Sequence, residues 1–280
     1  MADLKKAFVL GHPITHSRSP LIHNHWIKAH GLIGSYEAID VEPGVVAEFL
    51  SRVRSGEFAG GNVTVPLKEE AFADVECLTH TAKSIGAVNT IYMESGKLWG
   101  DNTDSYGFSA NLTNRAPEWK SCHSALVVGA GGAARAIVKS LTDAGFAEII
   151  VLNRTLSRAE ELEASFGPPV SAAPLDQFEK HAVKADLIVN TSSLGMAGKE
   201  DMTFDFSAAK PSAIVTDIVY VPLETKFLKS ARIAGLKTVD GLGMLLHQAV
   251  PGFERWFGVR PDVTPELRAI IEADLFKVKP

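Results

Sequence analysis

The chain has 280 residues, about two average domains' worth. It is 46% hydrophobic and 22% charged, which supplies apolar material for two cores and argues against disorder. Its 28 basic and 33 acidic residues leave a net charge of −5, so neither nucleic acid nor an anionic membrane surface is an expected partner.

Cys77 and Cys122 are the two cysteines, so no disulfide framework is implied and a reducing cytoplasm is the expected compartment. The N-terminal apolar run Ala7–Leu10 is too brief for a signal-peptide core. No apolar stretch approaches the ~18 residues of a membrane span.

Strands alternate with helices along the chain, the pattern of an α/β protein. Ala7–Gly11 reads as a strand, followed by a loop rich in His, Ser and Pro. Ser19-Pro20 reads as the cap and first turn of a helix to about His30. A strand over Tyr36–Val41, a helix over Val45–Arg54 and a β-branched strand over Gly61–Pro66 follow. Then come a helix from Leu67 to Asp74 and two strands, Val88–Met93 and Lys97–Trp99, around a Glu94-Ser95-Gly96 hairpin turn. Asn114–Cys122 reads as loop, near the boundary between the halves.

The second half opens with a buried strand, Ser124–Val128. Helix 132–144, strand Glu148–Asn153, helix 157–165, strand Asp186–Asn190, strand Ala213–Ile218, helix 222–234 and strand Lys237–Val239 follow. These βαβ units predict a parallel sheet. Leu242–Phe257 is apolar at helical spacing, and Thr264-Pro265 caps a last helix to about Phe276.

Residues 129–134 read Gly-Ala-Gly-Gly-Ala-Ala between a strand and a helix, the dinucleotide-binding pattern. Gly129 permits the tight turn, Gly131 lets backbone approach a pyrophosphate, and amides at the helix start face its charge. After the next strand an NAD enzyme carries an acid for the ribose 2′-hydroxyl. Here the chain reads Asn153-Arg154-Thr155-Leu156-Ser157-Arg158 instead. Two arginines four apart, with the Thr155 hydroxyl beside them, suit a 2′-phosphate and point to NADP.

The first half holds three polar clusters. They are His16-Ser17-Arg18-Ser19-Pro20, Asn62-Val63-Thr64-Val65-Pro66-Leu67-Lys68, and Gly86–Thr90 with Asp101-Asn102-Thr103-Asp104. Singly, each is ordinary turn chemistry. Together they offer hydroxyls, an amide, an ammonium and a carboxylate, a set able to grip a polyhydroxylated small acid. Five of the nine histidines precede residue 31, but His23 and His25 point apart on a helix and no ligand set completes them, so no metal is expected.

With these clusters the sequence resembles the shikimate dehydrogenases. The matching stretches are Gly11–Ile14, His16–Pro20, Asn62–Pro66 with Lys68, Gly86–Thr90, Asn102–Asp104, Gly129–Ala134, and Asn153–Thr155 with Arg158. Asn190–Ser192 with Gly195-Met196, and Asp240-Gly241 with Gly243-Met244 and Gln248, also match. The resemblance implies a substrate domain over 1–104 with 242–280, and a Rossmann-type parallel-sheet NADP domain over 105–241. It implies that Ser17 and Ser19, helped by Tyr220, bind the substrate carboxylate. Thr64, Asn89, Asp104 and Gln248 bind ring hydroxyls, and Lys68 is the acid/base residue paired with Asp104. Gly129, Ala130, Gly131, Gly132 and Ala133, with Asn153, Arg154, Thr155 and Arg158, hold NADP. Thr191, Ile218, Gly241 and Met244 line the adenosine or nicotinamide side.

The implied reaction is reversible reduction of 3-dehydroshikimate to shikimate by NADPH, in a monomer or homodimer that takes small molecules alone. Whether Lys68 carries the proton or mainly stabilises developing oxyanion charge stays open. Two positions depart from the family: His80 stands where members often carry an acid, and Ile218 where some have methionine. One alternative is a quinate/shikimate dehydrogenase with relaxed substrate or cofactor choice, against which Ser17, Ser19 and the arginine pair weigh. The other is a non-catalytic ligand-sensing relative, against which retention of Lys68 and Asp104 weighs.

Overall fold

The structure, a computed structural model, describes residues 4–192 and 203–277. The chain separates into two compact units. One comprises residues up to Thr103 together with those from Leu246 on, and the other runs from Asp104 to Leu245.

The first unit contains, in chain order, β1 (Lys5–Gly11), α1 (Ser19–Ala29), β2 (Gly34–Asp40), α2 (Val46–Arg54), β3 (Gly60–Val63), α3 (Lys68–Asp74), β4 (Cys77–Leu78), α4 (His80–Ile85), β5 (Thr90–Glu94) and β6 (Lys97–Asp101). Its sheet has the order β2-β1-β3-β5-β6-β4. β1 runs parallel to both neighbours, whereas β5 is antiparallel to β3 and to β6. The chain leaves β1 toward one side and returns on the other, so the switch of direction falls between β1 and β3. Loops after the carboxyl ends of such strands are where open α/β sheets bind ligands. Alternation along β1 sends Phe8 and Leu10 into a core with Phe49, Leu50, Phe58 and Leu98.

The second unit opens with α5 (Asp104–Arg115) and a 3-10 turn (Pro117–Ser121). Then follow β7 (Ser124–Val128), α6 (Gly132–Asp143), β8 (Glu148–Asn153), α7 (Leu156–Phe166), β9 (Val170–Pro174), α8 (Phe178–Ala182), β10 (Leu187–Asn190), β11 (Ile214–Asp217), α9 (Lys226–Ile233) and β12 (Lys237–Val239). The sheet order is β12-β11-β10-β7-β8-β9 and every pair is parallel. This is the doubly wound order, with its reversal between β7 and β10. Ala125 and Val127 enter one buried layer and Leu126 and Val128 the other, which is why β7 reads as a continuous apolar run.

α10 (Leu242–Phe257) starts in the second unit and ends in the first, where α11 (Pro265–Lys277) follows. Trp256 Nε1 on α10 donates to Ile91 O (2.9 Å), and Trp26 Nε1 donates to Asp262 O (3.0 Å). The Thr264 hydroxyl accepts from Leu267 N (3.2 Å) and starts α11.

Three local expectations need correction. Asn114–Cys122, expected as loop, contains the end of α5 and the 3-10 turn. The inward residues of α5 are Gly107, Phe108, Asn111 and Leu112, so half of its buried stripe is not apolar and the helical period is masked. The helix expected over 222–234 begins only at Lys226, because Thr225 is its cap and accepts from Leu228 N (3.3 Å). Arg18, not Ser19, occupies the cap position of α1, and Ser19 is its first helical residue. Gly195-Met196 lies outside the described residues.

Candidate active site

The first unit gathers its candidate residues at the carboxyl ends of β1 and β3. After β1 the loop is tied to β2 by Asp40, which accepts from Ile14 N (3.2 Å) and meets His12 Nδ1 (3.2 Å). Ser17 N donates to Ile14 O (3.0 Å), and Ser19 N donates to Ser17 Oγ (3.3 Å), so the two serines are held together as α1 begins. Arg18, between them, turns elsewhere. Its Nη1 donates to His16 O (2.8 Å) and its Nε to Asp274 on α11 (3.3 Å).

Thr64 follows β3. Its amide donates to Leu10 O (2.8 Å), and its carbonyl accepts from Leu67 N (2.9 Å) to close a turn through the cis Val65-Pro66 bond. That turn delivers Lys68 as the first residue of α3, with a half-buried side chain. Lys68 O accepts from Val88 N (2.9 Å), which fastens this helix start to the segment carrying Asn89. The buried Asn89 side chain accepts through Oδ1 from Thr103 N (2.9 Å) and from the Thr90 hydroxyl (2.8 Å). Gln248, on α10, is buried in the same unit. His80 is exposed at the start of α4. Among the described residues, no group of three or more His, Cys, Asp or Glu is placed to hold a metal ion, and no helix is long and apolar enough to cross a membrane.

In the second unit the glycine loop leaves the carboxyl end of β7. Gly129 has φ +104°, and a Cβ there would lie 2.9 Å from Thr191 Oγ1 and 3.0 Å from Ser192 N. Thr191 Oγ1 in turn donates to Val128 O (2.9 Å), so the loop and the end of β10 interlock. Gly131 and Gly132 are different: each is exposed, and a Cβ on either would meet nothing within 4 Å. Internal packing therefore does not require glycine at these two positions. Gly131 also caps α6 without a side-chain hydrogen bond, so the helix presents bare backbone amides to solvent. This open start, with its positive dipole end, fits a dinucleotide pyrophosphate.

At the end of β8, Asn153 Nδ2 donates to Thr155 O (2.8 Å). Arg154, Thr155 and Arg158 are exposed, and the first turn of α7 holds no acidic residue. The donor set fits a 2′-phosphorylated cofactor. Ala130, Ile218 and Met244 pack on one hydrophobic cluster of this unit. Gly241 lies so close that a Cβ would come within 2.4 Å of Ile218 O.

Asp104 is the first residue of α5 and Tyr220 lies in the segment after β11. That segment is held by Asp217, a carboxylate with 0% exposure that sequence reading did not single out. Its Oδ1 accepts from Val219 N (2.9 Å), and its Oδ2 from Thr225 Oγ1 (2.6 Å) and Asn190 Nδ2 (3.0 Å). Burial pushes this carboxyl up, against the downward pull of those three donors. Tyr36, on β2, was missed as well; its hydroxyl donates to Asn62 Oδ1 at 2.7 Å. Neither residue stands in a recognisable motif, and the partners of each are reached only through the fold.

A profile of the shikimate dehydrogenase substrate-binding domain matches residues 9–91. A profile of shikimate/quinate 5-dehydrogenase matches 112–240, and one of the shikimate 5′-dehydrogenase C-terminal domain matches 241–270. The chain is 56% identical to a shikimate dehydrogenase (NADP(+)) of Mesorhizobium japonicum over 271 residues, 97% of each chain. Among solved structures, shikimate 5-dehydrogenase from Thermus thermophilus, in complex with NADP(H) and shikimate, has a TM-score of 0.86 at 38% identity, covering 97% of this chain and 100% of that one. Quinate dehydrogenase from Corynebacterium glutamicum in complex with NAD has a TM-score of 0.88 at 30% identity, covering 97% and 99%. With all three profiles matched and such identity across nearly its whole length, the chain belongs to the shikimate dehydrogenase family.

Proposed function

We propose that the chain catalyses the NADP-dependent interconversion of 3-dehydroshikimate and shikimate, a step of chorismate and aromatic amino acid biosynthesis, as a cytoplasmic monomer or homodimer. The carrying observation is the parallel sheet with two features on adjacent strands: an uncapped glycine-rich helix start after β7, and an arginine pair without an acid after β8. The names of the Mesorhizobium and Thermus proteins support the substrate.

In this reading Gly129 makes the turn, its own amide donating to Leu152 O (2.7 Å), and the loop of Ala130, Gly131, Gly132 and Ala133 receives the pyrophosphate at the start of α6. Asn153, Arg154, Thr155 and Arg158 hold the 2′-phosphate end. Thr191, Ile218, Gly241 and Met244 shape the remaining cofactor surface. The bound NADPH supplies the hydride.

The hydroxyls of Ser17, Ser19 and Tyr220 donate to the substrate carboxylate, and Thr64, Asn89, Asp104 and Gln248 hold its ring oxygens. Lys68 Nζ donates a proton to the ketone oxygen as the carbon is reduced, and takes it back in the oxidation direction. Fixing Lys68 at a helix start, after a hydrogen-bonded turn, limits the reorganisation needed when charge develops on that oxygen. Asp104 orients the ammonium.

The test follows NADPH absorbance with shikimate and NADP+ against quinate and NAD+. Turnover with the first pair at a far higher kcat/KM is expected. The likeness to the Corynebacterium quinate dehydrogenase favours a second reading, relaxed choice of substrate or cofactor, in which the other combinations turn over comparably. No turnover with any combination would indicate a ligand-sensing relative.

A further inference from the structure

α5 opens the second unit, and its first residue is the Asp104 of the proposed acid/base pair. Asp104, Phe108, Asn111 and Arg115 follow one another at intervals of four, three and four, so they lie along one face of the helix. Phe108 is buried in the cluster on which Ile218 and Met244 pack.

Asn111, one turn on, is a carboxamide with 3% exposure. Its Nδ2 donates to Asp240 O (2.9 Å). A carbonyl can only accept, so the orientation of the carboxamide is set, and its oxygen faces α10. There a Cβ on Gly243 would stand 1.9 Å from Asn111 Oδ1. One turn further, Arg115 Nη2 lies 4.0 Å from Asp240 Oδ2. α5 thus engages Asp240 at both its carbonyl and its carboxylate. Asp240 shapes the turn that follows: its Oδ1 accepts from Leu242 N (3.1 Å), and Gly241 O accepts from Met244 N (3.1 Å) as α10 begins. Gly241 in turn abuts Ile218 O, where a Cβ would fall at 2.4 Å. The 240–244 segment therefore has no slack toward Asn111 or toward the backbone after β11. An apolar side chain at 111 would tolerate many placements of this segment. A buried carboxamide tolerates the one that gives it Asp240 O, because losing that bond leaves a polar group unpaired.

We propose that Asn111 is a positioning residue for the cofactor: it locks the 240–244 turn, and with it Gly241 and Met244, to the helix that begins with Asp104. This part of the NADP surface and the Asp104 carboxylate then keep one spacing, as parts of the same unit. The inference rests on the turn contacting NADP, as in the function proposed above.

Asn111→Ala tests it. Kd for NADPH, titrated by fluorescence, and KM for NADP+ should rise about three- to tenfold, the scale of one buried hydrogen bond, while shikimate binding without cofactor changes little. Gly243→Ala presses a methyl group onto Asn111 Oδ1 and should raise Kd for NADPH at least as far. In the Asn111→Ala background it should add little, because the obstructing carboxamide is gone. Thr113→Val is the control: it removes the hydrogen bond that Thr113 Oγ1 accepts from Trp119 Nε1 (3.1 Å), on the same helix, and should leave Kd as in the wild type. A lower Tm with unchanged Kd in Asn111→Ala would overturn the inference, since a merely structural role predicts that result. A Gly243→Ala effect of equal size with and without Asn111, or a Thr113→Val effect as large as that of Asn111→Ala, would overturn it too. Met244→Ala separates the inference from the function itself. An unchanged Kd there would take the turn off the cofactor surface and overturn both, whereas a raised Kd beside a normal Asn111→Ala would overturn the positioning role alone.

Discussion

Asp217→Asn removes one buried charge and keeps the shape. In the wild type three donors converge on the carboxylate: Val219 N on Oδ1, and Thr225 Oγ1 and Asn190 Nδ2 on Oδ2. If the asparagine oxygen stays on Val219, its NH2 faces the other two. The Thr225 hydroxyl can turn and accept. Asn190 cannot turn, because its own Oδ1 takes Ser192 N (3.1 Å) and Ser192 Oγ (2.7 Å). One charge-assisted hydrogen bond is lost, about 1.5–3 kcal/mol, and two donors oppose each other. Removing a desolvated charge offsets part of this, leaving a net loss of about 2 kcal/mol. At ~2–4 °C per kcal/mol, Tm should fall by roughly 4–8 °C. Differential scanning calorimetry without cofactor reads the shift. Asp205→Asn is the control, because Asp205 also accepts from the amide and hydroxyl of Ser207 but is exposed. An Asp217→Asn protein melting within about 1 °C of wild type, or a control that falls as far, would refute the reasoning.

Lys68→Ala should lower kcat by roughly 10²–10⁴ while shikimate binding by direct titration changes far less. Asp104→Ala should damage binding and turnover together, and the double variant should fall short of the sum; full additivity would dissolve the pair. Arg154→Ala should weaken NADPH binding by roughly 1.5–3 kcal/mol and NADH binding little, and equal losses would remove the 2′-phosphate role. Replacing Ser17 and Ser19 by Ala should raise KM for shikimate more than Arg18→Ala does, because the Arg18 guanidinium engages Asp274 and His16 O. Partial burial raises the Asp186 carboxyl, but Lys210, the amides of His123 and Ser124 and the Ser124 hydroxyl outweigh it and hold the pKa at about 2. The folded value lies below the unfolded one, so this stabilisation is present above pH ~4 and lost as pH falls toward about 2. Asp186→Asn should flatten that part of the acid unfolding curve, read by circular dichroism, and an unchanged curve would count against it.

Local chemistry made much of this legible in the sequence. The strand-glycine-helix unit at Ser124–Asp143 and the arginines after β8 are short-range signals, and their elements lie where the periodicity puts them. The α/β class followed from alternating patterns. β4 and α8 escaped because two- and five-residue elements have no measurable period. β9, Val-Ser-Ala-Ala-Pro, lacks the apolar run that marked its neighbours. The partner that turns Arg18 away from the two serines, Asp274, comes from α11, far along the chain. Tyr36 and Asp217 depend on long-range partners in the same way, Tyr36 on Asn62 and Asp217 on Asn190. Sequence spacing does not encode such pairs.

The passage of α10 from the second unit back into the first has a consequence for biosynthesis. A ribosome completes the β7–β12 sheet before it makes Phe253 and Trp256, the aromatic residues that meet His23 and Tyr36. The unit begun first is therefore finished last. At ~5–20 residues per second, the interval between β6 and the end of α10 is on the order of ten seconds. During that time the Tyr36 side of the β1–β2 pair lacks its cover, and the nascent chain exposes apolar surface that a chaperone can hold. A chain that stops before Leu246 retains the whole sequence of the second unit but cannot close the aromatic cluster of the first.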